Sequence, residues 1–383
     1  MSQDLFELLE RTSQAEGPGS GLDLLIRKLV EEKRHQLVFE VRLLQKRHVL
    51  GLPLVFAGTI ADLPLEHQGA YQTALTEAAR EAGHAFLADG DIARAWTYFR
   101  AIGDSAPVAA AIERVRSREE AEPVLAIALL ENVNPRKGFE LLLEHHGVCQ
   151  AVDFTIKCGD RETRLMFLRM LVREFYRQLA SSLKEAIAGV EGKIPETNSV
   201  AELIAGRDWL FEGGNLYIEN SHLVSILQAS PDLDDPETMR LVLELAEYAQ
   251  RLAPIHRFQA EPPFDDPFVD HAQYLRALLG EHADEAVAHF QTKVAGSVRG
   301  AAEVLVALLA RLGRYREAIE ISLAHLSGEA GDSCPSAVQL CQMAGDYEQL
   351  RDVARKKDDL LGFAAGILQS EPAARRPSSR KHA

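Results

Sequence analysis

Apolar residues along this chain return in steps of three and four, the spacing that gives a helix one buried face. From Leu22 to about Val49 such a face collects Leu25, Leu29, Leu37, Val41 and Leu44, so the pattern predicts one long helix. Its other face is basic (Arg27, Lys28, Lys33, Arg34, Arg42, Lys46, Arg47): a solvated face, or a dock for an acidic partner or for the chain's own acidic half. Ahead of it, residues 1–16 carry Leu5, Leu8 and Leu9 on one stripe, and the run EGPGSG from Glu16 to Gly21 marks a break. Gly51 to His67, with Pro53, Gly58 and Pro64, reads as an irregular connection. Tyr71 to Ile102 then reads as two helices joined at Asp89-Gly90-Asp91. Ala78, Ala82, Ala85 and Ala95 let the helices approach, and Phe86, Leu87, Trp96 and Phe99 fill the space between them. Further helices are expected at 107–117, 118–131, 135–145, 148–157 and 160–189, separated by Asn132, Asn134-Pro135 and Gly147.

The same pairing returns near the C-terminal end. Val304 to Leu326 reads VLVALLARLGRYREAIEISLAHL, and Ala337 to Ala354 reads AVQLCQMAGDYEQLRDVA. Gly90, Gly313 and Gly345 occupy equivalent turns, where a left-handed glycine ends one helix and the next restarts at once. Gly313 and Gly345 lie 32 residues apart, close to the tetratricopeptide period of about 34. Ala95 and Ala318, five residues past their glycines, are placed where the two helices of a pair cross.

These segments resemble tetratricopeptide repeats, above all through the G-x-Y-x-x-A pattern of GRYREA, Gly313 to Ala318. The likeness covers about a third of the chain, and elsewhere the pattern departs: Asp-Ile follows Gly90, and Leu350 stands in place of the small residue after Gly345. GLPLVFAGTIADLP, AWTYFRAIGD and the SHL and DPFVDH segments add a likeness to a group of bacterial tetratricopeptide-like proteins. The resemblance implies an all-α fold, an α-solenoid of antiparallel helix pairs, here with two irregular loop insertions. It implies a concave face that holds a peptide, and names no chemistry.

The insertions interrupt the helical texture. Arg207 to His222 (RDWLFEGGNLYIENSH) is polar and aromatic around Gly213-Gly214, a hairpin-like excursion or a loop laid across the body. Pro254 to Asp270 contains Pro254, Pro262, Pro263 and Pro267, which forbid continuous helix, and Phe258, Phe264 and Phe268, which anchor such a loop. The chain thus divides into N-terminal helices (1–60), a helical-repeat region (61–190), a loop-rich insertion region (191–275), C-terminal repeats (276–370) and a disordered basic tail (371–383).

Composition narrows the partners. Hydrophobic residues make up 46% and aromatics 7%, which fits Leu/Ala-packed helices. The net charge of -15, from 57 acidic and 42 basic residues, argues against nucleic acid and anionic lipid as general partners. No apolar run reaches the roughly 18 residues of a membrane span. The acidic, amphipathic start MSQDLFELLERTSQ has no leader character, so a cytoplasmic protein is expected. Cys149, Cys158, Cys334 and Cys341 lack the C-x2-C spacing of structural zinc and read as buried thiols in a reducing compartment.

No phosphate loop, dinucleotide fingerprint, HExxH or GxSxG motif is present. Glu144-His145-His146 places adjacent histidines about 100° apart on a helix, unfit to share one metal and suited to a helix end before Gly147. The two insertions gather the candidate ligand- or partner-binding residues Tyr217, His222, Arg257, Asp270 and His271. If the loops meet, His222, Asp270 and His271 can hold a divalent metal or act as acid and base. The structural alternative is that Asp265 or Asp266 caps a helix starting at Pro267, that Asn220 or Ser221 caps one that includes His222, and that His271 bonds a neighbour. Trp96, Tyr98 and Phe99 are core or concave-surface residues at this spacing. Three functions compete: a scaffold binding a peptide or partner protein on a concave face without a cofactor, a metal-dependent or ligand-binding helical enzyme, and a homo-oligomer assembled through the ends of the stack.

Overall fold

The computed structural model describes residues 2–55, 58–257, 260–326 and 334–370. Those residues form helices and turns and contain no strand. In chain order the helices are α1 (Ser2–Glu16), α2 (Pro18–Glu31), α3 (His35–Val49), α4 (Leu65–Ala88), α5 (Ile92–Ala101), α6 (Ala106–Ile112), α7 (Arg118–Ala121), α8 (Leu125–Leu129), α9 (Pro135–Lys157) and α10 (Arg161–Glu191). They continue as α11 (Val200–Ile204), α12 (Asn220–Ala229), α13 (Pro236–Gln250), α14 (Pro267–Leu278), α15 (Ala283–Ala295), α16 (Ala301–Arg311), α17 (Tyr315–His325), α18 (Ala337–Ala344), α19 (Tyr347–Lys356) and α20 (Leu360–Ser370). No helix among the described residues is long and apolar enough to cross a membrane. The tail at 371–383 and Phe258 lie outside the described residues.

The chain forms two compact units, residues 1–151 and 152–383. In the first, each helix from α1 to α6 packs on the next. The α4/α5 pair shows why its sequence pairs so readily. Ala95 and Phe99 are fully buried, and a Cβ at Gly83 would stand 2.6 Å from the Phe99 ring, so the small residue is what lets the ring in. Asp91 caps α5 by accepting from the Arg94 amide at 2.9 Å.

Three expected boundaries are corrected here: the helix expected over 118–131 is α7 and α8, parted by a turn at 122–124. The helix expected over 22–49 is two helices, because Lys33 turns left-handed (φ 55°) and the Arg34 amide donates back to the Leu29 carbonyl at 2.8 Å. No glycine or proline marks this turn. Tertiary contacts hold it instead: Lys33 Nζ and His35 Nε2 both meet the Asp89 carboxylate, at 2.6 and 2.8 Å. The break expected over Glu16–Gly21 shrinks to Gly17 (φ 96°), since Pro18 takes the first helical position, where its missing N–H has no role. Gly147 (φ 78°) does interrupt α9, with His145 bonded to the Arg116 carbonyl and His146 facing Glu122.

The second unit takes in the last turns of α9 from Val152 and then α10, whose buried stripe runs Leu165, Leu168, Val172, Phe175, Leu179 and Leu183, and which packs on α11, α12 and α13. Beyond α13, consecutive helices again pack in sequence to α20. Gly313 (φ 73°) and Gly345 (φ 66°) make the left-handed turns expected of them, and Ala318 is fully buried. A further turn of this kind, at Gly280 (φ 81°), joins α14 to α15, with Ala286 as the buried small residue. The core is Leu305, Leu309, Ile319, Leu340 and Leu350 with their neighbours. Three helix pairs therefore follow one another: α14/α15, α16/α17 and α18/α19.

Candidate functional site

The two insertions meet. His256 Nε2 lies 2.7 Å from the Gly214 carbonyl, and Asn220 Nδ2 donates to the His256 carbonyl. Of the titratable residues the sequence places in these loops, His256 is the one that joins them, whereas Tyr217, His222, Arg257, Asp270 and His271 take no part in these two contacts. His222 sits half-buried in the first turn of α12, which Glu219 caps in place of Asn220 or Ser221. Tyr217 donates its amide to Tyr248 Oη at 3.4 Å. Arg257 is exposed and donates to the Gln250 carbonyl at 2.9 Å. The 206–222 segment contains a 3-10 turn, Asp208–Gly214, where a hairpin was one expectation.

Asp270 and His271 lie in the first turns of α14, which starts at Pro267 under an Asp266 cap, as anticipated. Both are 1% exposed. Asp270 Oδ1 accepts from His289 Nε2 at 2.6 Å, and Oδ2 accepts from Lys293 Nζ at 2.8 Å and from the Asp266 amide at 3.0 Å. Its lone pairs are therefore committed to protein donors. Lys293 Nζ also donates to Asp265 Oδ1 at 2.5 Å and to the Pro263 carbonyl at 2.7 Å. The ammonium holds the Asp265 carboxyl below its ordinary range. Burial pulls Lys293 down, but its bonds to Asp265 and Asp270 outweigh that and raise it. Burial pushes His271 down to about 4, so its ring is neutral near pH 7 and Nδ1 donates to the Pro267 carbonyl at 2.8 Å. Among the described residues, no group of three or more His, Cys, Asp or Glu is placed to hold a metal ion, and His222, Asp270 and His271 form none.

The cluster holds an aromatic side chain over an open cavity. Phe264 stacks on His271 (ring centroids 4.1 Å, 21°) and meets Tyr274 and Phe290 edge-on. Phe264 and Tyr274 line a cavity of about 470 Å³ with Val304, Ala307, Arg311 and Met343. Tyr274 comes from α14, Val304 to Arg311 from α16 and Met343 from α18, the first helices of the three consecutive pairs. That volume falls in the roughly 300–1,000 Å³ range of ligand pockets.

No family model, curated protein or solved structure matches this chain.

Function therefore rests on this geometry. Lys293 and His289 were invisible in sequence: they stand on α15 without a motif, and only the fold brings them to Asp270. Phe264 was legible as a loop anchor, but its place in a groove was not.

Proposed function

We propose that this protein is an interaction scaffold that holds a segment of a partner protein in the groove crossed by α14, α16 and α18. The observation that carries the reading is the repetition of position: the first helix of each of three consecutive pairs contributes a wall, with Tyr274, Ala307 and Met343 facing one cavity. Stacked helix pairs of tetratricopeptide type produce such a surface by repetition, and a peptide lies along it. The resemblance in GRYREA falls inside this stretch, at the turn between α16 and α17.

Panning a displayed peptide library against the full chain tests the reading. Enriched peptides are expected to bind the wild type, to be lost on Ala307→Arg, which fills the groove, and to be retained on Arg316→Ala, at an exposed position of α17. Peptides that ignore Ala307→Arg, or a library that yields no saturable binder, would refute it.

A further inference from the structure

Helix α20 packs on α19 with its smallest residues. Gly362 and Gly366 are buried, and a Cβ on Gly366 would stand 2.7 Å from Cγ of Arg351, so the absent side chains let α20 lie close. Four large apolar residues are left to solvent. Leu360, Leu361, Ile367 and Leu368 are 79%, 85%, 45% and 65% exposed, and Ala364 between them is exposed too. A helix packed for its own chain alone turns such residues inward, because apolar burial is what stabilises the packing.

The exposed set has a symmetry. Counted from Ala364, Leu361 and Ile367 stand three positions either way, and Leu360 and Leu368 stand four. At about 100° per residue, Leu361 and Ile367 lie roughly 60° to opposite sides of Ala364, and Leu360 and Leu368 roughly 40°. Two such helices laid antiparallel about a two-fold axis through Ala364 set Leu361 against Ile367 and Leu360 against Leu368. Each pair then occurs twice, as an isologous contact requires. A partner unrelated in sequence has no need of that palindrome.

Charge does not oppose the contact. None of the 11 residues of α20 is charged, in a chain where 26% are. A second copy therefore brings no ionised group to desolvate at this face. The net charge of -15 on each copy acts at longer range, and physiological salt screens it over about 8 Å. With 11 residues α20 is about 16 Å long, so the helix pair alone stays below the roughly 1,200 Å² of a standard interface. A contact of that size forms reversibly, with affinity in the micromolar range.

We propose that α20 is a self-association face, through which two copies of this chain pair antiparallel in a reversible two-fold dimer. Leu360, Leu361, Ala364, Ile367 and Leu368 form the contact. None of them lines the groove, so the dimer stands independently of the groove reading.

Sedimentation equilibrium of the full chain from about 1 to 200 µM tests this. A monomer–dimer equilibrium is expected, and added salt is expected to tighten it as the long-range repulsion is screened. Leu361→Glu and Ile367→Glu alter exposed positions and leave the packed face of α20 intact; each is expected to weaken the dimer at least tenfold. Thiol cross-linking in a Cys149→Ser, Cys158→Ser background reads the register. Under mild oxidation Ala364→Cys is expected to link to itself. Leu361→Cys is expected to link to Ile367→Cys in a mixture and little to itself. A chain that stays monomeric over the whole range at high salt would overturn the proposal. A dimer unchanged in both glutamate variants would do the same, by placing association elsewhere. Leu361→Cys linking to itself as readily as Ala364→Cys would overturn the antiparallel pairing. A monomer that instead sediments with phosphatidylcholine vesicles, and ceases to in Leu361→Glu, would assign the face to a lipid surface and overturn the second copy.

Discussion

His271 spends its imidazole inside the protein, stacked on Phe264 and bonded to a carbonyl of its own helix. A base whose folded pKa lies below its unfolded value binds its proton more readily in the unfolded chain. Its contribution to stability is present above the unfolded value of about 6.5 and is lost as pH falls toward the folded value of about 4. The window spans about 2.5 units, which corresponds to about 3 kcal/mol at most. Urea midpoints measured at pH 7.5 and pH 4.5 check this: the wild type is expected to lose more stability between them than His271→Gln does. Equal losses would mean that the ring takes up its proton at the same pH in the folded and the unfolded chain. Asp265, held low by Lys293, acts at more acidic pH, because its contribution is lost only as pH falls below the ordinary aspartate range toward its depressed folded value. The Asp270 cluster shows where sequence reading stops at this scale. Asp266 before Pro267 announced a cap, and the structure has it. Lys293, 23 residues beyond Asp270, carried no sign of the contact, since pairing across a helix hairpin depends on which faces the hairpin brings together.

At the scale of elements, glycine turns and small residues at helix crossings made the helix pairs legible, because both are backbone requirements written directly in residue type. Gly313 at φ 73° and Gly69 inside α4 make the point as a pair. Neither has atoms within 4 Å of an added Cβ, yet only Gly313 is left-handed. Gly313→Ala is expected to destabilise by about 1 kcal/mol, from the left-handed penalty, and Gly69→Ala to stabilise by a similar amount, from helix propensity. Chemical unfolding of the two variants checks the opposite signs. Ala318→Leu, at a fully buried crossing of α16 and α17, is expected to cost about 1–3 kcal/mol from overpacking. Elements set by distant contacts were not legible. The turn at Lys33 depends on Asp89, more than fifty positions away, and the Gly280 turn hid because Glu281 and His282 separate the glycine from α15.

The whole molecule has two units, each with its own buried clusters: Phe86, Phe99 and Ile112 in the first, Phe290, Leu305 and Leu340 in the second. Separate cores unfold as separate cooperative blocks unless a large interface binds them together. Scanning calorimetry is expected to give a calorimetric enthalpy above the van't Hoff value; a single two-state transition would contradict it. The Lys293 cluster has another consequence, in how such a chain can change over time. One ammonium serves Pro263, Asp265 and Asp270, so a replacement at Lys293 removes the one ammonium from a carboxylate that is 1% exposed and leaves it only His289 and the Asp266 amide, whereas exchanging Lys293 and Asp270 together for apolar residues of similar volume is expected to cost less. Paths through single substitutions are therefore steep while the joint change is shallow. These positions are expected to change as a linked block, and the aromatic wall they carry would share that inertia.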